Sequence, residues 1–226
     1  MSSQKSMITE DAQGAASDGA AEGRTPKRAR GRLRVAAILD AAVAVFTEKG
    51  FDAATMTEVA ARSRTAIGSL YRFFPSKDAL AEALLRRYSD RATAGLSVIA
   101  GHSPRLTPTA LADALVDLMQ DLAGERSMMK VLMMDRRGDA PEVLRAEDKR
   151  GRLRAAIRGH IAHVLSVHAP TLPPERMATV AGMLLHLMKA IPDLAEEGDA
   201  VALLSEMRLA LGAYLGAVLS VGPSGA

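Results

Sequence analysis

The stretch that decides the fold runs Thr55-Met56-Thr57-Glu58-Val59-Ala60-Ala61-Arg62-Ser63-Arg64-Thr65-Ala66-Ile67-Gly68-Ser69-Leu70-Tyr71-Arg72-Phe73-Phe74-Pro75-Ser76-Lys77. It opens on a capping box. The Thr55 hydroxyl and the Glu58 carboxylate can each satisfy a backbone N–H that the first turn of a helix leaves without a partner. This predicts a helix over 55–62, and a second short helix follows near 66–73. Two short helices joined by a tight turn fit a helix-turn-helix, in which the second helix enters the major groove of DNA and the first crosses the phosphate backbone.

Outward from this stretch every segment has helical period, and none alternates as a strand does. Upstream, Ile38, Ala42, Val45 and Phe46 form one stripe over 33–49, and Gly50 stands where a helix C-cap is expected. Downstream, Pro75-Ser76 starts a long helix with Leu80, Leu84, Tyr88, Ala92, Leu96 and Ile99 on one face, broken at Gly101-His102-Ser103-Pro104. Further helices are expected at 108–122, at 125–136 (Met-rich), at 141–168 (Arg-rich), and at 174–191 and 199–220, both apolar nearly all round. The fold class is therefore all-α, with about nine helices and no fixed-period repeat.

Charge is unevenly spread. Residues 24–100 hold 14 basic and 7 acidic residues, whereas 101–226 hold 14 and 15. The basic excess near the helix-turn-helix points to a polyanionic partner at that end. Residues 1–23 are polar, small and aperiodic and read as a disordered tail. Residues 24–34 carry six basic side chains and no acid. They read as a flexible basic arm against DNA, with Arg28, Arg30 and Arg32 as contacts, or as a solvated tail.

The chain has no Cys, which excludes disulfides, thiolate metal sites and Cys nucleophiles. The longest apolar run, 209–221, is short for a membrane span, and the N-terminus has no apolar signal core, so a cytoplasmic protein with no membrane partner is expected. No Gly-rich phosphate loop, G-x-S-x-G or carboxylate cluster appears, so an enzyme carrying a DNA-binding appendage is the weakest reading, and no cofactor is expected. His160, His163 and His186 lie at spacings that can bind Zn, but no Cys or neighbouring carboxylate completes a set, and no metal site is expected.

The residues Phe46, Gly50-Phe51, Thr55, Val59-Ala60, Gly68-Ser69-Leu70-Tyr71, Phe74, Pro75-Ser76-Lys77 and Leu80 together resemble the TetR family of bacterial helix-turn-helix transcriptional regulators, over roughly 33–85. The resemblance implies a three-helix DNA-binding domain at 33–78 and an α-helical effector-binding and dimerisation domain at 79–226. It implies that Thr55 caps the second helix near a phosphate, that Thr57 faces the duplex and that Ser69 reaches a base edge. Tyr71 and Lys77 would contact phosphates, and Arg72 a phosphate or a surface partner. Phe46, Val59, Leu70 and Phe74 would be core. Three positions depart from the family pattern. Arg64 stands in the turn where Gly is usual, and a side chain there costs energy at positive φ. Ala66 stands where Ser or Thr caps the recognition helix, so that Thr65 would cap one residue early. Ile67 replaces a polar residue and can meet only a thymine methyl. Arg64, Thr65, Ile67 and Gly68 complete the expected DNA surface.

In the C-terminal domain Met177, Val180, Leu184 and Leu187, with Leu211, Gly212, Leu215 and Gly216, are the expected homodimer interface. Small residues one turn apart allow close helix approach, and two-fold symmetric DNA sites need symmetric proteins. In the resembled family the last two helices form the four-helix bundle of the dimer. Met119, Met129, Met133, Arg154, Ile157, His160, Met183 and His186 are the expected lining of an effector pocket, since Met suits an adaptable apolar site. Arg154 either snorkels to water or holds an anionic ligand at the pocket mouth. The implied function is a homodimeric repressor, released from double-stranded operator DNA by a small-molecule effector. The alternative is an effector-free regulator whose C-terminal domain only dimerises or binds a partner. A cavity among the Met-rich helices favours the first, and a filled core the second.

Overall fold

The computed structural model describes residues 24–126, 128 and 140–220. The described chain is helical throughout: α1 (Arg24–Ala53), α2 (Met56–Arg62), α3 (Ile67–Phe73), α4 (Lys77–His102), a 3₁₀ turn (Ser103–Arg105), α5 (Pro108–Asp121), α6 (Ala140–His168), α7 (Pro174–Leu194) and α8 (Ala200–Ser220). Residues 123–126 start a further helical turn. The expected tail at 1–23, Met129, Met133 and most of the helix expected at 125–136 lie outside the described residues, as does the side chain of Arg28.

Helices α1 to α3 close around Ile38, Ala42, Val45, Phe46, Val59 and Leu70, all essentially without solvent exposure. The expected stripe of 33–49 is thus the inner face of α1. The helix also begins nine residues earlier than expected, so the stretch 24–34 forms its first turns rather than a flexible arm. Arg, Lys and Ala are good helix formers, and Pro26 falls in the first turn, where its missing N–H costs nothing. Gly50 breaks the helical geometry of α1 at φ 79°, ψ 165°, which turns Phe51 back to pack edge-on against Phe46 at 5.4 Å between ring centroids.

Helix α4 is shared. Its buried face begins at Leu80 and Leu84 beneath α1 and continues through Tyr88, Ala92, Leu96 and Ile99 among the C-terminal helices. There α5 packs mainly on α8, α6 on α4 and α7, and α7 on α5 and α8. Thr107 caps α5 by accepting from the Ala110 N–H at 3.1 Å, with Pro108 at the first helical position. His168, ending α6, donates from Nδ1 to the Ser103 carbonyl at 2.6 Å and so fastens α6 to the end of α4.

Helices α7 and α8 are each long and apolar enough to cross a membrane by length and composition, which the single run 209–221 did not reveal. Both nevertheless pack on α5. The Arg208 guanidinium of α8 binds Asp117 at 2.5 Å and Gln120 at 2.8 Å on α5, and Asp117, with Asp113, raises its pKa above the ordinary value.

The expected dimer residues need correction. Val180, Leu184, Leu211 and Leu215 are buried within the single chain, because α5 covers the face they share. The close approach allowed by Gly212 is also internal: a Cβ there would lie 3.4 Å from the Thr109 Cα of α5. Met177, Leu187 and Gly216 are only half-buried. Gly212→Leu should therefore destabilise the folded chain by about 1–3 kcal/mol through overpacking, whereas a Cβ at Gly216 meets nothing within 4 Å and Gly216→Leu should leave the urea midpoint of a monomeric fraction unchanged. Equal midpoints for the two variants would contradict this packing.

Candidate functional site

The site begins with the placement of α2 on α1. Thr55 accepts the Glu58 N–H at 3.3 Å, while Glu58 Oε2 accepts the Thr55 N–H at 3.0 Å, a complete capping box. Glu58 also pairs with Lys49, and Arg62 with Glu48 at 2.6 Å. These two ion pairs cross from α2 to α1 and fix the angle between them. The hydrogen bonds from Lys49 and from Thr55 pull the Glu58 carboxyl down to about 2.

The turn between α2 and α3 is a Schellman cap. The Thr65 N–H reaches the Ala60 carbonyl at 2.9 Å, and the Arg64 N–H reaches Ala61 at 3.1 Å. That geometry puts Arg64 at φ 52°, the non-glycine residue at positive φ among the described residues. The side chain that departs from the family pattern therefore sits, exposed, in the left-handed conformation expected to cost it energy. Thr65 does not cap α3: its hydroxyl donates backward to the Ser63 carbonyl at 3.3 Å. Ala66 occupies the N-cap without any side-chain bond.

Helix α3 is anchored by Leu70, fully buried, and followed by Phe74, also buried. Its outer face carries Ile67 at 42% and Tyr71 at 48% exposure, large side chains that a folded chain seldom leaves in water side by side. Gly68 lies between them, and a Cβ there would meet nothing. Thr57 and Arg72 are exposed beside this face, with the Arg72 guanidinium 5.6 Å from the Phe73 ring centroid, and Ser69 is half-buried. Thr55, Thr57, Arg64, Ile67, Gly68, Tyr71 and Arg72 are each accessible to solvent. Arg30 and Arg32 are exposed on the first turns of α1.

Lys77 differs from these residues. Its ammonium donates to the carbonyls of Phe51, Asp52 and Ala54 at 2.6, 2.9 and 3.1 Å and lies 4.6 Å from the Phe51 ring centroid. An ammonium has three N–H donors, and here all three are used to close the carbonyl end of α1. The physical reason is the break at Gly50, which leaves those carbonyls without helical partners. The sequence signal was present in the Gly50-Phe51 break but pointed to a helix end, not to what would satisfy it.

A second feature lies between α4, α5, α6 and α7. A cavity of about 240 Å³ is walled by Ala92 and Leu96, by Leu118, Met119 and Leu122, by Leu153 and Ile157, and by Leu185 and Met188. Of the expected pocket residues, Met119, Arg154 and Ile157 line it. His160, His186 and Met183 do not. The two imidazoles turn back to their own helices, bonding the Ala156 and Gly182 carbonyls at 3.0 and 2.7 Å, and Met183 points outward, 45% exposed. The residues that sequence reasoning missed are the polar ones: Tyr88, Arg126 and Lys189. Burial pushes the Tyr88 phenol up against the opposing pull of Arg126, which hydrogen-bonds it. Burial, with repulsion from Arg154 and Arg126, pushes Lys189 down. Among the described residues no group of three or more His, Asp or Glu is placed to hold a metal.

The described residues form an all-α fold with an N-terminal helix-turn-helix and a helical C-terminal bundle. Residues 38–84 match the family model described as bacterial regulatory proteins, tetR family. The chain is 25% identical over 140 residues to the uncharacterized HTH-type transcriptional regulator YuxN of Bacillus subtilis, covering 61% of this chain and 46% of that protein. Over 75 residues it is 41% identical to the HTH-type transcriptional repressor KstR of Mycobacterium tuberculosis, covering 32% and 34%. The matched segments thus span less than half of either relative. Across nearly the whole fold it superposes on the transcriptional regulator FadR of Bacillus subtilis, solved in complex with stearoyl-CoA, with a TM-score of 0.58 at 16% identity, covering 81% of this chain and 97% of that one.

Two outcomes follow. Lys77→Met should lower folding stability by about 1.5 kcal/mol, the worth of charge-assisted hydrogen bonds in a half-exposed setting; unchanged urea stability would return Lys77 to the DNA surface. The Glu58 carboxyl titrates well below its ordinary 4.5, so its contribution is complete above that value and is lost as pH falls toward about 2. The difference in melting temperature between wild type and Glu58→Gln should shrink over that window, and a difference constant with pH would contradict the Lys49–Glu58 pairing.

Proposed function

We propose that the protein is a sequence-specific DNA-binding transcriptional regulator of the cytoplasm: a homodimeric repressor released from its operator by a small-molecule effector. The observation that carries the DNA reading is the outer face of α3, where Ile67, Gly68 and Tyr71 are presented together beside Thr57 and Arg64. Gly68 lets the helix backbone approach the groove floor, Ile67 meets a thymine methyl, and the Tyr71 hydroxyl donates to a phosphate. Arg64 adds a charge at the turn. Its strained backbone is the kind of local cost that persists where a partner repays it. Thr55, Ser69 and Arg72 flank these contacts, and Arg30 and Arg32 extend them along the phosphate backbone.

Dimerisation is supported by the faces of α7 and α8 that the chain itself leaves uncovered. Met183 and His186 on α7, with Leu209, Ala210 and Ala213 on α8, are all exposed and fall at helical spacing. The interface is thus one helix face round from the residues first expected, with Gly216 at its edge. Such a dimer must set its two α3 helices about 34–36 Å apart to read successive major grooves. The cavity supports the effector reading over a C-terminal domain of solid core, as does the acyl-CoA complex of the structural relative FadR.

Selection of bound DNA from a random pool tests the whole reading. A two-fold symmetric site should emerge. Arg64→Ala should reduce the salt slope of binding by about one, and Leu209→Glu should give a monomer by light scattering with weakened DNA affinity. No enriched sequence, or a wild-type monomer at micromolar concentration, would overturn it.

A further inference from the structure

We propose that the cavity between α4, α5, α6 and α7 takes an anionic amphiphile: an aliphatic body among the leucines, with a carboxylate or similar small anionic head held by Arg126, Arg154 and Lys189. The proposal rests on the effector reading above and names the chemistry of that effector.

Three observations carry it. The walls are apolar on all four helices, with Leu96, Leu118, Leu122, Ile157 and Leu185 among them, so the body of the ligand must be apolar as well. Three cationic side chains from three separate segments converge on the same space, and no carboxylate among the described residues lines it. Glu125, the acid next to Arg126 in sequence, is already committed: Arg91 holds one of its oxygens at 2.6 Å, and Arg87 Nε lies 3.4 Å from the other. Finally, Arg126 Nε is buried and has no hydrogen-bond partner, an orphan donor that costs free energy in the empty cavity.

Arg154 is exposed, whereas Lys189 and Arg126 are both half-buried, with Arg126 in hydrogen-bond contact with Tyr88. Mutual repulsion in an apolar setting is unfavourable until an anion enters. The lowered affinity of Lys189 for its proton reports that repulsion, together with burial. A neutral ligand would leave the three charges facing one another, and a cationic one would add a fourth. An anion satisfies the orphan donor, and guanidinium with ammonium gives it charge-assisted bonds, the stronger class of hydrogen bond. The Tyr88 hydroxyl is a further donor on the α4 wall.

The test is calorimetric titration of the full 226-residue chain with decanoate, decyl sulfate, decan-1-ol, decylamine and acetate, followed by operator-binding assays with each. Decanoate and decyl sulfate should bind about ten- to a hundred-fold more tightly than decan-1-ol, decylamine least, and acetate too weakly to detect because it lacks the body. Lys189→Met and Arg154→Met should each abolish most of the preference for the anion while keeping the affinity for decan-1-ol. Melting temperatures of the unliganded variants at or above wild type would show that they fold. Decan-1-ol binding as tightly as decanoate, or a preference for the anion unchanged in both variants, would overturn the assignment. Anion binding that leaves operator affinity unaltered would support the ligand class and overturn the release reading. Operator release by decan-1-ol alone would do the reverse. No binding by any decyl compound would overturn both.

Discussion

Everything in this molecule depends on α4 being one uninterrupted helix. Its buried face serves two cores in succession, the three-helix N-terminal unit through Leu80 and Leu84 and the C-terminal bundle through Tyr88, Ala92 and Leu96. A continuous helix resists bending because each turn would have to lengthen its backbone hydrogen bonds. Tyr88 and Leu96, both on the cavity wall, thus stand on the same continuous helix as Leu80. Arg87 reinforces the link from the side: it binds Asp40 of α1 at 2.6 Å and approaches Glu125, the chain neighbour of the cavity residue Arg126. The two units thus meet through covalent helix and ion pair together.

The placement of the helix-turn-helix follows the same economy. α2 is held by its capping box and by the pairs Lys49–Glu58 and Arg62–Glu48, while α3 is held by Leu70 and Phe74 below it. Lys77, at the start of α4, closes the carbonyl end of α1. One side chain thereby joins the first helix of the domain to the helix that leaves it. The outer face of α3 plays no part in this scaffold, and so its residues are available to a partner.

The legible parts of the sequence were those where local chemistry determines structure. The Thr55–Glu58 box, the stripes of α1 and α4 and the break at Gly50 all act within a turn or two of chain, and each appears where the pattern put it. What could not be read was which of several possible neighbours a side chain meets. Lys77 reads as a phosphate contact, and only the return of the Phe51–Ala54 segment reveals the carbonyls that take its ammonium. Val180, Leu184, Leu211 and Leu215 are apolar whether α5 or a second copy covers them. Lys189 lies in the more apolar part of α7, but its companions Arg126 and Tyr88 lie far off in sequence and needed the packing of the helices to bring them together. The first turns of α1 were hidden by their charge, since a run of basic residues reads as an arm or as a solvated tail.

The left-handed backbone at Arg64 has one more consequence. The Schellman bonds to Ala60 and Ala61 define the path of the chain there, so the fold asks nothing of the side chain except that it tolerate the conformation. Glycine tolerates it best. Glycine at position 64 would thus relieve the strained backbone while leaving the Schellman bonds in place. The arginine is a residue that the path of the chain alone does not favour, so position 64 is one where a single substitution can raise stability without repacking the core.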